Sequence, residues 1–140
     1  MVNMKQLIKT LKIKTTGQGL YEITKEIIEI VDKSKFKNGL LTIYILHTSC
    51  SLLIQENADK TVQKDLQNFF NKIAPEDNNY FHSSEGSDDM PAHIKSSITQ
   101  TNLSIPIENS HISLGTWQGI YLFEHRKSNH VRIIKIHLMG

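Results

Sequence analysis

Three histidines lie where helices, strands and loops are expected to meet. His47 follows an apolar run, His82 lies in a polar stretch, and His93 follows Pro91-Ala92 at an expected helix start. A neutral imidazole is the commonest protein ligand for zinc and related metals. Three protein ligands with one open position are typical of a catalytic zinc site. The sequence therefore predicts a divalent-metal site at these three histidines, with zinc as the first choice and nickel, iron or copper as alternatives.

Spacing alone does not specify this site, because the three histidines come from different segments. For any one of them taken alone, a hydrogen-bonded or exposed side chain that binds no metal is the favoured interpretation. His125, next to Glu124, is the reserve ligand. The other histidines of the late strands are interpreted as structural, since no acidic residue adjoins them.

Carboxylates near these histidines are candidates for proton transfer. Glu85 lies three residues after His82 and can act as a base or orient an imidazole. Glu56 and Glu124 each flank an apolar run, so partial burial is expected to require a partner for each. With Ser49, these three glutamates form the candidate catalytic set, although a hydrogen-bonding role is the simpler interpretation of the serine.

Cys50 is the only cysteine of the 140 residues, so an intrachain disulfide is excluded. It could serve as a nucleophile beside a base, but a small buried residue is the favoured interpretation.

Hydrophobic periodicity places these residues on a mixed set of elements. Residues 4–16 are predicted to form a strand, and residues 40–46 a strand buried on both faces. Helices are predicted after the N-caps Thr24 and Asn57, with a short third helix opened by Pro91. Later strands are expected at the segments 103–107, 111–114, 119–123 and 131–138. The fold class predicted is α+β, with a largely antiparallel or mixed β-sheet sandwich and two or three helices.

Composition narrows the classes of protein that fit. No repeat or linker divides residues 1–140, so one compact domain is expected. The net charge is +2, and the basic residues are scattered without an aromatic-rich footprint, which argues against nucleic-acid binding. No apolar run approaches the roughly 20 residues of a membrane span, and no signal peptide is recognisable. A cytoplasmic location is therefore expected.

Four strings of residues resemble those of the YjbQ-like family, often labelled the secondary thiamine-phosphate synthase enzyme family. They are His47-Thr48-Ser49, Glu56-Asn57-Ala58-Asp59, the run 85–95 containing Asp88-Asp89-Met90-Pro91-Ala92-His93, and the run 114–125 containing Gly115-Thr116-Trp117-Gln118-Gly119. The similarity extends from about Leu20 to the end of the chain. Cys50 replaces an alanine frequent in the family, which further weakens it as a nucleophile.

The resemblance implies a homotrimer with a histidine metal site and a weak thiamine-phosphate synthase activity. The matching strings supply the candidate substrate-binding residues Asn57, Asp88, Lys95 and Gln118. The synthase reaction would require cations to hold pyrophosphate oxygens. Lys95, Arg126 and Lys127 alone lie near the motifs, which is few for a dedicated pyrophosphate site.

Two functions follow as hypotheses. The first is a metal-dependent transferase or hydrolase acting on a small polar or phosphorylated metabolite. The alternative is a non-catalytic trimeric module that binds a metal or metabolite. Trp117, between Gly115 and Gly119, is expected to pack in the core or in a subunit interface, with Gln118 hydrogen-bonded near the site.

Overall fold

The computed structural model describes residues 3–77 and 79–140. Within them the chain forms strands β1 (Gln6–Thr15), β2 (Gly19–Glu22), β3 (Gly39–Ile45), β4 (Cys50–Glu56), β5 (Asn102–Glu108), β6 (His111–Ile112), β7 (Gln118–Glu124) and β8 (His130–Met139). The helices are α1 (Thr24–Ser34), α2 (Lys60–Ile73) and α3 (Asp89–Ile98). No helix in these ranges is long and apolar enough to cross a bilayer.

The strands form two antiparallel sheets. One has the order β1-β8-β3-β5-β6 and the other the order β2-β7-β4. The first and last strands pair along their whole length, from Gln6 opposite Met139 to Thr15 opposite His130. The predicted α+β class with antiparallel pairing is therefore confirmed.

The hydrophobic core lies between the two sheets and α1. In β8 the buried side chains alternate, with Ile134, Ile136 and Leu138 all fully buried. Helix α1 adds Ile27 and Val31, which are four residues apart and so share one helical face. Burial of each such side chain contributes about 1.5–3 kcal/mol before the entropy of ordering is subtracted.

Strand β3 differs from its prediction as a strand buried on both faces. Its residues alternate, so that Leu41 and Ile43 are buried while Leu40 and Tyr44 are 38% and 47% exposed. The outward face carries side chains that no helix covers. The continuous apolar run of β3 thus supplies one core face and one open apolar face.

Both predicted N-caps are wrong by one or two residues. Helix α1 is capped at Ile23, and Thr24 instead donates to the Glu22 carboxylate at 2.8 Å. Helix α2 is capped by Asp59, which accepts the Thr61 N–H at 2.9 Å. The shift at α1 follows from β2, a four-residue strand whose end at Glu22 the sequence pattern did not reveal.

Helix α2 lies on the surface rather than in the core. None of its side chains is buried, and Phe69 is 56% exposed. Phe70 anchors the helix by an edge-to-face contact with Phe123 of β7, with ring centroids 5.4 Å apart. Trp117 is 62% exposed, so its predicted packing in the core of the chain is wrong.

Candidate functional site

Helix α3 and the segment before it bring two histidines to one aspartate. Asp89 and His93 are four residues apart and therefore share a helical face. The Asp89 Oδ2 atom lies 3.3 Å from His93 Nε2 and 2.7 Å from His82 Nε2. Ligand atoms of His82, Asp89 and His93 all lie within 4.8 Å of one another. Two imidazoles and a carboxylate form a donor set that zinc accepts.

The backbone fixes which nitrogen of His93 faces this cluster. His93 Nδ1 lies 3.0 Å from the Thr48 carbonyl oxygen. A carbonyl only accepts, so Nδ1 carries a proton, and when the ring is neutral its Nε2 faces Asp89 with a lone pair. A lone pair facing an anionic oxygen becomes favourable when a cation lies between them. Ligating histidines are typically held by such an outer hydrogen bond.

Arg126 holds the acidic side of the cluster. Its Nη1 donates to Asp89 Oδ1 at 2.6 Å, its Nε donates to Asp88 Oδ2 at 3.0 Å, and its Nη2 donates to the Glu85 carbonyl at 2.9 Å. Burial by itself raises the pKa of Asp89, but the His82 hydrogen bond and Arg126 outweigh it and lower the pKa of this carboxyl below its usual value. The carboxylate thus stays ionised, the form that a metal requires.

His47, the first predicted ligand, lies outside this set. Its Nε2 accepts the Ile133 N–H at 2.8 Å, and Arg132 Nη1 lies 3.4 Å from its Nδ1. Burial, reinforced by the Arg132 charge, lowers the pKa of His47. Its link to the cluster is the chain itself, because Thr48, the next residue, holds His93.

A buried ion pair between Arg132 and Glu124 lies next to His47. Arg132 donates to both carboxylate oxygens of Glu124, at 2.6 Å from Nε and 2.5 Å from Nη2. The same guanidinium contacts Ser49 Oγ at 3.0 Å, and Thr15 donates to Glu124 at 2.7 Å. Burial by itself raises the pKa of Glu124, but these bonds outweigh it and lower the pKa. Of the catalytic candidates, Glu124 and Ser49 therefore lie together in a structural network.

His125, the reserve ligand, is fully buried. Its Nε2 lies 2.9 Å from Ser51 Oγ, and its Nδ1 has no partner in the described chain. Burial, with Lys95 and Arg132 nearby, lowers the pKa of His125 to about 3. The ring is therefore neutral at physiological pH and stays apart from the His82 cluster.

The remaining candidates divide between two regions. Glu85 joins the cluster, with its Oε2 3.6 Å from His82 Nε2, and Asp88 joins it through Arg126. Lys95 lies on α3, is buried and donates to Asn71 Oδ1 at 2.6 Å.

Glu56, Asn57 and Gln118 lie at the other end of the three-stranded sheet. Glu56 pairs with Gln118 in the ladder, and Asn57 Nδ2 donates to Glu22 at 3.1 Å. Gln118 Oε1 accepts the Gly115 N–H at 2.7 Å, which closes the turn before β7. The candidates that the structure assembles near His82 are thus His93, Glu85 and Asp88.

Two important residues were not selected from the sequence, Asp89 as a ligand and Arg132 as a buried partner. The spacing of Asp89 and His93 on one helical face was a signal that could have identified the aspartate. In β8, Arg132 shares the face of the buried Ile134 and Ile136, so the alternation pointed it to the core, whereas the exposed Lys135 lies on the opposite face. The charge of Arg132 favoured a solvated position, and that interpretation is wrong for this residue. Burial of Cys50 raises the pKa of its thiol to about 12, which agrees with the structural interpretation of that residue.

Comparison with known proteins places this arrangement in a family. The family model for the UPF0047 protein YjbQ-like matches residues 9–140. A UPF0047 protein of Synechocystis sp. is 49% identical over 131 residues, which cover 93% of this chain and 89% of that protein. The UPF0047 protein YjbQ of Escherichia coli O157:H7 is 43% identical and covers 94% of this chain and 96% of its own length.

Solved structures agree with this placement. An uncharacterized conserved protein of the YjbQ/UPF0047 family from Clostridium acetobutylicum superposes with a TM-score of 0.82 at 31% identity, over 94% of this chain and 98% of that one. A protein of unknown function from Sulfolobus solfataricus shares the fold, with a TM-score of 0.91 at 22% identity over 99% of each chain. The chain therefore belongs to the YjbQ/UPF0047 family.

Proposed function

We propose that this protein is a metal-dependent enzyme acting on a small polar metabolite, with the metal held by His82, Asp89 and His93. The observation that carries the proposal is the convergence of three ligand atoms within 4.8 Å. The Thr48 carbonyl and Arg126 orient two of those ligands from outside.

A divalent ion bound there, zinc in the first instance, supplies Lewis-acid chemistry. The chain contributes Glu85, which is exposed and within 3.6 Å of His82 and can therefore accept a proton beside the ligands. His47 lies outside this set; its ligation as a fourth residue would fill the open position and would require its Nε2 to release the Ile133 amide. With three ligands, one position stays open for water or substrate, as in hydrolases.

Elemental analysis tests the proposal directly. Purified wild type is expected to hold one zinc per chain after loading, and His82→Ala, Asp89→Asn and His93→Ala are each expected to hold far less. His111→Ala, at an exposed position on β6, is the matched control and should retain the metal. Full metal content in all three cluster variants would overturn the assignment.

The alternative function is a binding module without turnover. It differs from an enzyme in having no exchangeable metal position. Cobalt-loaded protein titrated with azide separates the two, because azide entering an open position changes the visible spectrum. An unchanged spectrum would favour the binding module.

A homotrimer is proposed on the open face of the five-stranded sheet. Three apolar side chains on this face, Ile8, Leu40 and Val131, are 62%, 38% and 53% exposed. An exposed apolar surface of this kind is typical of an interaction site. Light scattering at micromolar concentration is expected to give three times the 16.0 kDa chain mass, and a stable monomer would contradict this assembly.

A weak thiamine-phosphate synthase activity is the remaining proposal from the family resemblance. Pyrophosphate release from the two phosphorylated substrates measures it directly. A rate that is equal in wild type and His93→Ala would separate the activity from the metal cluster.

A further inference from the structure

A cavity of about 380 Å³ opens beside His82, in the segment that joins α2 to α3. This volume lies within the range of about 300–1,000 Å³ typical of small-molecule sites. Its wall includes residues of the α2–α3 connection and of the first turn of α3: Glu76, Asn79, Ser83, Ser87 and Met90. His82 is common to the cavity and the cluster, so a molecule in the cavity lies beside the proposed metal.

No lysine or arginine lines the cavity among the described residues. The nearest cations are already neutralised by the protein itself. Lys127 Nζ lies 2.5 Å from Glu76 Oε2. Arg126 uses Nε and both terminal nitrogens on Asp88, Asp89 and the Glu85 carbonyl. In the metal-free chain, a phosphate entering the cavity therefore finds no unpaired lysine or arginine.

Lys95 does not supply a cation to the cavity either. It is 1% exposed and donates to Asn71 Oδ1 at 2.6 Å. Its side chain is absent from the cavity wall. A phosphate would have to displace buried groups to reach this ammonium.

The cavity wall is equally unsuited to a cationic ligand. Its carboxylate, Glu76, accepts from Ser87 Oγ at 2.7 Å through Oε1 and pairs with Lys127 through Oε2. A metal beside His82 would add further positive charge. What the wall offers is an amide and hydroxyls, groups that both donate and accept hydrogen bonds.

We infer that the residues of the cavity wall select an uncharged, hydroxyl-rich ligand, of the class of a small sugar or polyol, over a phosphate ester, so that any attraction for an ester comes from a bound metal. Hydroxyl groups match the mixed donors and acceptors of Asn79, Ser83 and Ser87. Met90 provides an apolar surface for the carbon skeleton. The inference rests on the proposed function only for the metal beside His82, and it specifies the substrate class of that same site.

Titration of the isotope-labelled full chain tests the inference. D-ribose and D-glucose are compared with their terminal phosphate esters, in zinc-loaded and zinc-free protein, through the backbone amide shifts of residues 79–90. In the zinc-free protein the sugars are expected to give saturable shifts and to bind about threefold or more tightly than their esters, the scale of one exposed charge interaction. Tighter binding of the esters to the zinc-free protein, or no saturable shift with either sugar, would overturn the inference.

A substitution that releases a cation sharpens the test. Glu76→Gln leaves Lys127 without its carboxylate and is expected to raise ester affinity by about threefold. Glu29→Gln is the matched control, because it releases Lys33 from an exposed pair of 2.7 Å on α1, which contributes nothing to the cavity wall. An equal effect of both variants would show that the gain comes from net charge and would overturn the role of Lys127.

Zinc content measured on the same samples separates the two proposals. Sugar binding by wild type that takes up no zinc on loading would leave the cavity inference intact and overturn the proposed function. Normal zinc uptake, with esters preferred over sugars in the zinc-free protein, would overturn the cavity inference and leave the proposed function intact.

Discussion

Two pairs of histidines in this protein have the same imidazole side chain in different surroundings. His82 and His93 keep 45% and 30% of their side-chain surface exposed, and each directs Nε2 at Asp89. His47 and His125 lie at strand ends, where a backbone amide and the Ser51 hydroxyl occupy their Nε2 atoms. The comparison teaches that the group facing Nε2, a carboxylate shared by two rings or an already bonded amide or hydroxyl, separates a candidate ligand from a structural residue.

The two regions also differ in how charge is satisfied. The Glu124–Arg132 pair is buried, and its two charges neutralise each other, with further hydrogen bonds from Thr15 to Glu124 and from Arg132 to Ser49. The Asp89 carboxylate leaves one oxygen for two histidines, although Arg126 occupies the other. The first region is expected to govern stability and the second to govern ligand binding.

The largest expected effect is on the buried pair. Arg132→Met leaves Glu124 buried without its partner, which should lower the free energy of unfolding by about 3–5 kcal/mol. Urea denaturation measures this change. Lys33→Met, in the exposed pair with Glu29, is the control and should alter stability by less than about 1 kcal/mol. A loss as small as the control's would show that the buried region does not govern stability.

Metal affinity distinguishes the two histidine pairs next. His93→Ala should weaken zinc binding beyond the 10–100-fold that loss of an outer partner typically costs. His47→Ala and His125→Ala are expected to weaken it by less than about tenfold, an effect no larger than that of an outer-shell change. Competition with a chromophoric chelator gives all three affinities. A loss for His47→Ala that equals the loss for His93→Ala would establish His47 as a ligand and break the comparison.

The pH dependence of stability is expected to report His125. The folded pKa of about 3 lies below the ordinary value of 6.5, so at intermediate pH the unfolded chain binds a proton that the folded chain does not. Stability should therefore fall as pH drops from about 6.5 toward 3, by about 1.4 kcal/mol per pH unit. Glu124, whose pKa is lowered, adds its own loss only below its ordinary value of 4.5.

Urea denaturation between pH 6 and pH 4 measures that slope, with Lys95 and Arg132 as the charged groups that face the ring. His125→Gln keeps a hydrogen-bonding group opposite Ser51. The variant should reduce the slope of stability against pH by nearly the amount that one titrating proton contributes. The exposed His111→Gln serves as the control. An unchanged slope in His125→Gln would show that the buried ring is not the source.

The smallest effect is expected at Trp117, whose ring is 62% exposed. Trp117→Ala should change the free energy of unfolding of the isolated chain by less than about 0.5 kcal/mol, as at other surface positions. Light scattering on the same variant tests the interface alternative, since a ring buried between subunits would promote dissociation when removed. A destabilisation of about 3 kcal/mol or more in monomeric protein would show that the ring packs in the chain.

Much of the fold could be predicted because hydrophobic periodicity is local. The apolar run 131–138 predicted strand β8, and the helical spacing of Ile27 and Val31 predicted the face of α1 that enters the core. The caps were missed because Thr24 and Asn57 both bond to Glu22, which belongs to a short strand without a strong pattern. The exposure of Tyr44 was missed because an apolar run does not reveal whether a helix covers the second face of a sheet.

The sequence by itself determined the family, the α+β class and the region of the candidate site, because the carrying motifs are contiguous strings of residues. Only the tertiary structure decided which histidines converge, since His82 and His93 meet at Asp89 through the path of the segment before α3. It also decided that Arg132 is buried on Glu124 while Lys135, three residues later, is exposed. The physical reason is that a lone pair or a charge is defined by partners distant in sequence, and pairing with those partners depends on how the chain folds.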